Sequence, residues 1–321
     1  MIDHEWHAEI TGDLREELHG LLAEAAREDA EAGFPSFSLD DDVPAGTRYL
    51  LVWLLPDERS GRDEPPPRLA GCLRLEPSGG TAGGADPDRA EVRLVIHPEL
   101  RSRGISTSLC ERLGLDVDAD DGWAGTGFRS LYCWARGNHP AAQRMSLRFS
   151  DTGLRRARRE WRLLALLRKS SVEAAATTEV AATDGSVDST IVDVEPGKPG
   201  LDELWRRAGR TGSAPRQGRV LITGSHDSPT GAVWFDPGAA EPTEFGPAGL
   251  LRAVLAEPEP TGSEAGDGVM AALLRAGMAA LRVDGARVAV ITVADHEEAL
   301  LTACRLAGFQ HDQTDCEYVL G

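Results

Sequence analysis

The chain has 321 residues, 41% of them hydrophobic, enough for globular cores. Its formal net charge of -18 repels a phosphate backbone over most of the surface and so argues against general nucleic-acid binding. It has no apolar run long enough to span a bilayer, and its acidic start, Met1-Ile-Asp-His-Glu-Trp6, lacks a basic, then apolar leader. A cytoplasmic protein of two domains is therefore expected. The five cysteines, Cys72, Cys110, Cys133, Cys304 and Cys316, form no CxxC pair and are expected as reduced thiols, with no metal. Lys169 and Lys198 are the only lysines among many arginines, which fits a high-GC bacterial composition.

Residues 5–10 read as a strand. A turn at Thr11-Gly12-Asp13 follows, with Thr11 or Asp13 as helix cap. The helix runs to about residue 32, with Leu14, Leu18, Leu21 and Leu22 on one face. Residues 48–55, 68–75 and 91–97 read as strands, bounded by prolines and a Gly-rich turn. A helix over 104–113, a strand over 130–135, a helix over 139–149 and a Leu-rich strand over 159–167 complete the first half. Residues 170–189 are a small-residue linker without an apolar stripe.

The order then repeats. Residues 190–194 read as a strand and 201–207 as a helix; 220–223, 231–235 and 250–256 are strands. A helix over 269–281, a strand over 287–293, a helix over 297–306 and a strand over 316–320 follow. The pattern predicts an α/β (α+β) duplication, with one domain over 1–169 and a second over 190–321.

The segment richest in chemistry is Val92-Arg-Leu-Val-Ile-His-Pro-Glu-Leu-Arg101-Ser-Arg-Gly104-Ile-Ser106. An apolar strand enters a short loop that opens a helix. The free N–H groups of a helix start suit a pyrophosphate, Gly104 lets backbone approach an anion, and Arg101 and Arg103 add charged donors. The same local pattern also fits an ordinary strand-to-helix loop with surface arginines.

At these residues the chain resembles the GNAT superfamily of acetyltransferases, whose coenzyme A loop reads Arg/Gln-x-x-Gly-x-Gly/Ala after a strand. Here it is Arg101-x-x-Gly104-x-Ser106. The stretches from Ile96 to Ile105, from Trp134 to Ala142, and the chain end from Leu306 to Leu320 are similar to the tandem GNAT enzymes of the mycothiol synthase type. The resemblance implies two tandem GNAT-like domains, each a mixed, mostly antiparallel sheet flanked by helices. It implies acetyl-CoA or another acyl-CoA as co-substrate and a small amine as acceptor. It also implies that the fourth and fifth strands splay apart around the coenzyme. Backbone groups of Val95, Ile96 and His97 would then meet the pantetheine arm, and amides of Arg101, Ser102, Arg103, Gly104, Ile105 and Ser106 the pyrophosphate.

Glu91 stands on the strand where some members keep their base; the alternative is a surface glutamate. His97 lies beside the splay point, as a titrating group or as a turn residue before Pro98. Tyr132 on the partner strand is either an acid or core packing, and Asn138 either a pantetheine contact or a helix cap. The family's later-helix tyrosine falls near Met145 or Ser146 in the first half and at Cys304 in the second. The second loop, Ser263-Glu-Ala-Gly266-Asp-Gly268, keeps the glycine spacing but adds two carboxylates, which repel a pyrophosphate by about 1 kcal/mol each. The second domain is thus expected as a degenerate copy. In tandem enzymes of this type the second domain is the catalytic one, so its losses weigh against that activity here; the missing tyrosines favour the alternative, a non-catalytic acyl-CoA-binding or sensing protein.

Overall fold

The computed structural model describes residues 1–31, 37–40, 43–56, 66–78, 86–167, 191–210, 212–240, 243–257 and 265–321. The expected linker over 170–189 lies outside the described residues. The chain forms two compact units, Met1–Arg158 with Asp315–Gly321, and Arg159–Thr314.

The first unit runs β1 (Ile2–His7), α1 (Gly12–Glu31), β2 (Arg48–Leu54), β3 (Arg68–Pro77), β4 (Arg89–Ile96), α2 (Ile105–Leu113), β5 (Ser130–Ala135) and α3 (Pro140–Arg148). Its strands lie in the order β1-β2-β3-β4-β5, followed by the end of the last strand of the chain, β12 (Gln310–Leu320). All neighbours are antiparallel except β4 and β5. Alternation divides β2 between two cores. Leu50 and Val52 face α2 with Leu73, Ala90, Ile105, Leu109 and Leu131. Tyr49 and Leu51 face α1 with Leu18, Leu21, Leu22 and Cys72. The leucine stripe of α1 is therefore the packed face. β1 lies earlier than residues 5–10, because Ile2 pairs with Leu54 while Ile10 packs into the α1 core.

The second unit begins with the larger part of β6 (Arg155–Leu166) and continues with β7 (Val192–Val194), α4 (Pro199–Arg207), β8 (Arg219–Gly224), β9 (Pro229–Asp236), β10 (Ala248–Ala256), α5 (Ala265–Val283), β11 (Val288–Ala294) and α6 (Glu298–Leu306). Its order is β6-β11-β10-β9-β8-β7, with β10 and β11 parallel. Leu163, Val233, Leu251, Ile291 and Val293 pack beneath α5 and α6.

These units differ from a division at residues 169 and 190 by their closing strands. β6 pairs with β11, Glu160↔Ala294 through Leu166↔Val288, and so joins the second unit. Residues 316–320 of β12 pair with β5, and so join the first. The polar start of β12 hid its full length: Asp312 pairs with Arg162 at 3.4 Å, and His311 meets the Trp161 ring edge-on at 6.2 Å. Among the described residues no helix is long and apolar enough to cross a membrane.

Candidate functional site

The site of interest begins where β4 and β5 part. Three rungs join them in parallel, Arg89↔Ser130, Ala90↔Leu131 and Glu91↔Tyr132. Beyond Glu91, β4 stays with β3 as far as Gly71↔Ile96, while β5 stays with β12 through Cys133↔Tyr318, Trp134↔Glu317 and Ala135↔Cys316. A wedge therefore opens between residues 92–96 and 133–135. The two-residue period assigns its lining. His97 N donates to Ala70 O at 2.9 Å, so the backbone groups of Arg93, Val95 and His97 turn to β3. Those of Leu94 and Ile96 turn to the wedge. Of the expected backbone trio, Ile96 faces the opening; Val95 and His97 are spent on the β3 ladder. Leu94, absent from the expected set, faces it and keeps 39% of its surface exposed.

The loop after β4 turns through a 3-10 segment, Pro98–Leu100. Ser102 (φ 62°) and Gly104 (φ 78°) are both left-handed, and a Cβ on Gly104 would meet nothing within 4 Å. Gly104 caps α2 with no side-chain bond. Ser108 N makes a bond to Gly104 O at 2.9 Å, so the amides of Ile105, Ser106 and Thr107 precede it. That open cradle of amides fits a pyrophosphate.

Arg101 has a different task from the charged donor expected of it. Its amide closes the 3-10 turn on Pro98 O at 3.1 Å. Its guanidinium forks onto Asp29 of α1, Nη1 to Oδ1 at 2.7 Å and Nη2 to Oδ2 at 3.1 Å, while Nε donates to Ile96 O at 3.1 Å. Arg101 thus ties the loop to α1 and takes one carbonyl of the wedge. Arg103 has no such tether among the described residues.

His97 is buried. Its Nε2 lies 2.9 Å from Arg68 Nη2 and 3.1 Å from Glu24 Oε2, so the ring joins β3 to α1. Arg68 also donates to Glu99 at 2.7 Å, and that bond holds the Glu99 carboxyl below its ordinary range. Glu91 and Tyr132 form the last rung. Glu91 Oε1 accepts from Arg93 Nε at 3.0 Å with its side chain 24% exposed. The Tyr132 hydroxyl accepts from Ser78 Oγ at 3.5 Å, and Arg89 Cζ lies 4.4 Å from the Tyr132 ring centroid. Asn138 is left-handed (φ 47°) and does not cap α3; His139 does, its side chain accepting from Ala141 N at 3.2 Å. Asn138 Oδ1 instead accepts from Cys316 Sγ at 3.3 Å. Burial pushes the Cys133 thiol up to about 12 and the Cys110 thiol up to about 11, so both stay protonated at neutral pH. Met145, near the family's tyrosine position, accepts from Thr107 Oγ1 at 3.3 Å.

Local sequence reading passed over Asp29, Glu317 and Asp315. Asp29 is a helix acid far from the loop it anchors, and Glu317 and Asp315 arrive on the last strand. Nothing in their immediate sequence marks them; only the tertiary packing does.

No family model matches the chain. It is similar along 98% of its length to mycothiol acetyltransferase of Saccharomonospora viridis, at 26% identity over 98% of that protein. The mycothiol acetyltransferase of Thermobispora bispora is 28% identical over 86% of this chain and 84% of its own. Among solved structures, a GCN5-related N-acetyltransferase from Sphaerobacter thermophilus superposes with a TM-score of 0.56 at 14% identity, covering 98% of this chain and 95% of that one. A tandem GNAT protein from the clavulanic acid biosynthesis pathway gives 0.53 at 18% identity, covering 99% and 98%. The chain thus has a tandem GNAT-like fold and is similar along nearly its full length to acetyltransferases. The particular enzyme it resembles over its whole length is mycothiol acetyltransferase.

Proposed function

We propose that the first unit binds acetyl-CoA and transfers its acetyl group to a small amine. The observation that carries this reading is the pairing of an open amide cradle at Gly104 with a wedge that starts at a polar rung. In this reading the amides of Ser102 through Ser106 hold the pyrophosphate, and the wedge-facing groups of Leu94 and Ile96 hold the pantetheine arm. The second unit is a degenerate copy, supported by the carboxylates Glu264 and Asp267 beside its glycines.

The reaction needs an amine nitrogen to attack the thioester carbonyl. A C–N bond forms, the C–S bond breaks, the amine loses a proton and the departing thiolate gains one. In this reading Glu91, on the last rung of the β4–β5 ladder, takes the amine proton. Tyr132 beside it carries the hydroxyl that returns a proton to sulfur. Holding the two reactants together supplies much of the rate, because it replaces an encounter in solution by a fixed geometry. His97 acts from behind: held by Arg68 and Glu24, it fixes the bend at which the loop leaves β4. Asn138, bonded to Cys316, sets the end of β5 against β12 and leaves its amide N–H groups for the pantetheine arm.

Free-thiol release with a panel of small amines, alongside acetyl-CoA titration, tests this. Release that falls at least tenfold in Glu91→Gln, with acetyl-CoA affinity kept, supports the reading. Tight acetyl-CoA binding without release for any amine favours a binding protein. No acetyl-CoA binding at all overturns both.

A further inference from the structure

The sheet face that carries Glu91 holds a cluster that acyl transfer itself does not require. Glu317 stands opposite Trp134, and its side chain is 8% exposed. Its carboxylate takes Arg89 Nη2 at 3.3 Å and Arg158 Nε at 3.4 Å. Two residues earlier on β12, Asp315 is 11% exposed and binds Arg136 Nη1 at 2.6 Å and Gly137 N at 2.9 Å. The carboxylates are thus buried, while the guanidinium side chains they hold are 38%, 46% and 38% exposed for Arg89, Arg158 and Arg136. Aromatic rings fix the same cations. Arg89 lies over Tyr132, and Arg158 and Arg136 lie 5.0 Å and 5.3 Å from the Trp134 centroid. The result is a pre-ordered positive surface on a chain of net charge -18.

One donor in this cluster is orphaned. Arg89 Nε is buried and has no hydrogen-bond partner among the described residues. A buried donor without an acceptor is costly, and a shift of the Arg89 side chain onto a bound anion removes that cost. The planar guanidinium fork fits carboxylate and phosphate oxygens in particular. Arg89 and Glu91 alternate on one face of β4, which separates them by about 7 Å at the usual rise per residue. A molecule that presents an amine to Glu91 can therefore present an anion to Arg89 and Arg158.

We propose that the acceptor is a small primary amine that also carries an anionic group, a carboxylate or a phosphate, and that Arg89, Arg158 and Arg136 select it. Glu317 and Asp315 are positioning residues, which hold the cations without touching the acceptor. This inference rests on the acetyl-CoA site of the first unit, so its test separates the two.

Acetyl-CoA is first titrated into wild type, Arg158→Gln and Arg89→Gln. Absence of binding in wild type sinks the cofactor site itself. With binding intact, matched probes are compared by thiol release and by calorimetry on the coenzyme A-loaded full chain: β-alanine against β-alaninamide, and phosphoethanolamine against ethanolamine. The expected result is at least a tenfold advantage for one anionic member, in kcat/KM or in Kd, and the two pairs tell carboxylate from phosphate. Arg158→Gln and Arg89→Gln should cut that advantage to within threefold. Arg158→Lys should restore part of it, and a wild-type melting profile in each variant keeps folding out of the comparison. No preference for either anion, no binding of any probe, or a preference that survives both variants overturns the proposal.

Discussion

The two parallel strand pairs use one backbone device for different chemistry. In the first unit the ladder ends at Glu91↔Tyr132, a polar rung that is partly exposed. In the second it ends at Leu251↔Ile291, both 1% exposed and packed under α5 and α6. Each pair then parts, because each strand follows its other neighbour. The separation is a property of the topology; what stands at the point of separation decides whether chemistry is available there. An apolar rung inside a core is a packing element, and a carboxylate beside a phenol carries groups able to exchange protons.

The sharpest way to break this comparison is to exchange the characters of the rungs. Leu251→Glu buries an uncompensated charge and should cost about 3–5 kcal/mol in urea denaturation, whereas Glu91→Leu should stay within about 1 kcal/mol. Similar losses in both would mean that the rungs are not distinct.

A smaller effect separates the two glycine loops. Gly104→Glu forces a side chain into left-handed backbone and sets a carboxylate at the amide cradle. Acetyl-CoA affinity should fall about 100-fold, roughly 2.7 kcal/mol. Gly266→Glu should change it less than about threefold, since carboxylates already flank that loop. Equal losses by titration calorimetry would refute the assignment of the coenzyme to the first unit.

Next comes the tether between α1 and the loop. Asp29→Asn removes the charge from a forked pair in which Arg101 is about one-third exposed. Stability should drop by about 1–2 kcal/mol, and acetyl-CoA affinity should weaken by about fivefold as the loop loosens. An unchanged affinity would make the tether a matter of stability alone.

The smallest effect is in the thiols, and here the units behave alike. Burial pushes Cys133 and Cys304 up to about 12 and Cys110 up to about 11. The folded state thus keeps the proton that the unfolded chain gives up near pH 8.5–9. The stability from each protonated thiol is full below that pH and is lost as pH rises toward 11–12, on the order of 1 kcal/mol per thiol at pH 10. Urea midpoints should fall between pH 8.5 and 10, and Cys133→Ala should flatten part of that fall. A slope unchanged by the substitution would place the titration elsewhere.

Much of the first unit was legible because its signals are local. The strand before Pro98, the glycine at the start of α2 and the leucine stripe of α1 each follow from neighbours a few residues away. The cradle at Gly104 was readable for the same reason: a helix start has free amides wherever it occurs. The role of Arg101 was not readable, since the same side chain can meet a phosphate or Asp29, and only packing puts Asp29 within 2.7 Å. The orientation of Val95 and Ile96 was equally hidden, because the choice between ladder and wedge depends on which neighbour each strand keeps.

By itself the sequence determined the order of the elements, the duplication, and the glycine turn whose helix start leaves amides free, all consequences of periodicity and backbone chemistry over short spans. Tertiary structure alone decided where the chain closes each sheet. β6 joins β11 and the last residues of β12 join β5. That second pairing brings Glu317 beside Arg89 across 228 positions of sequence. Strand pairing is a competition among distant edges of similar hydrogen-bonding capacity, so its outcome is set by the packed whole and not by any segment of it.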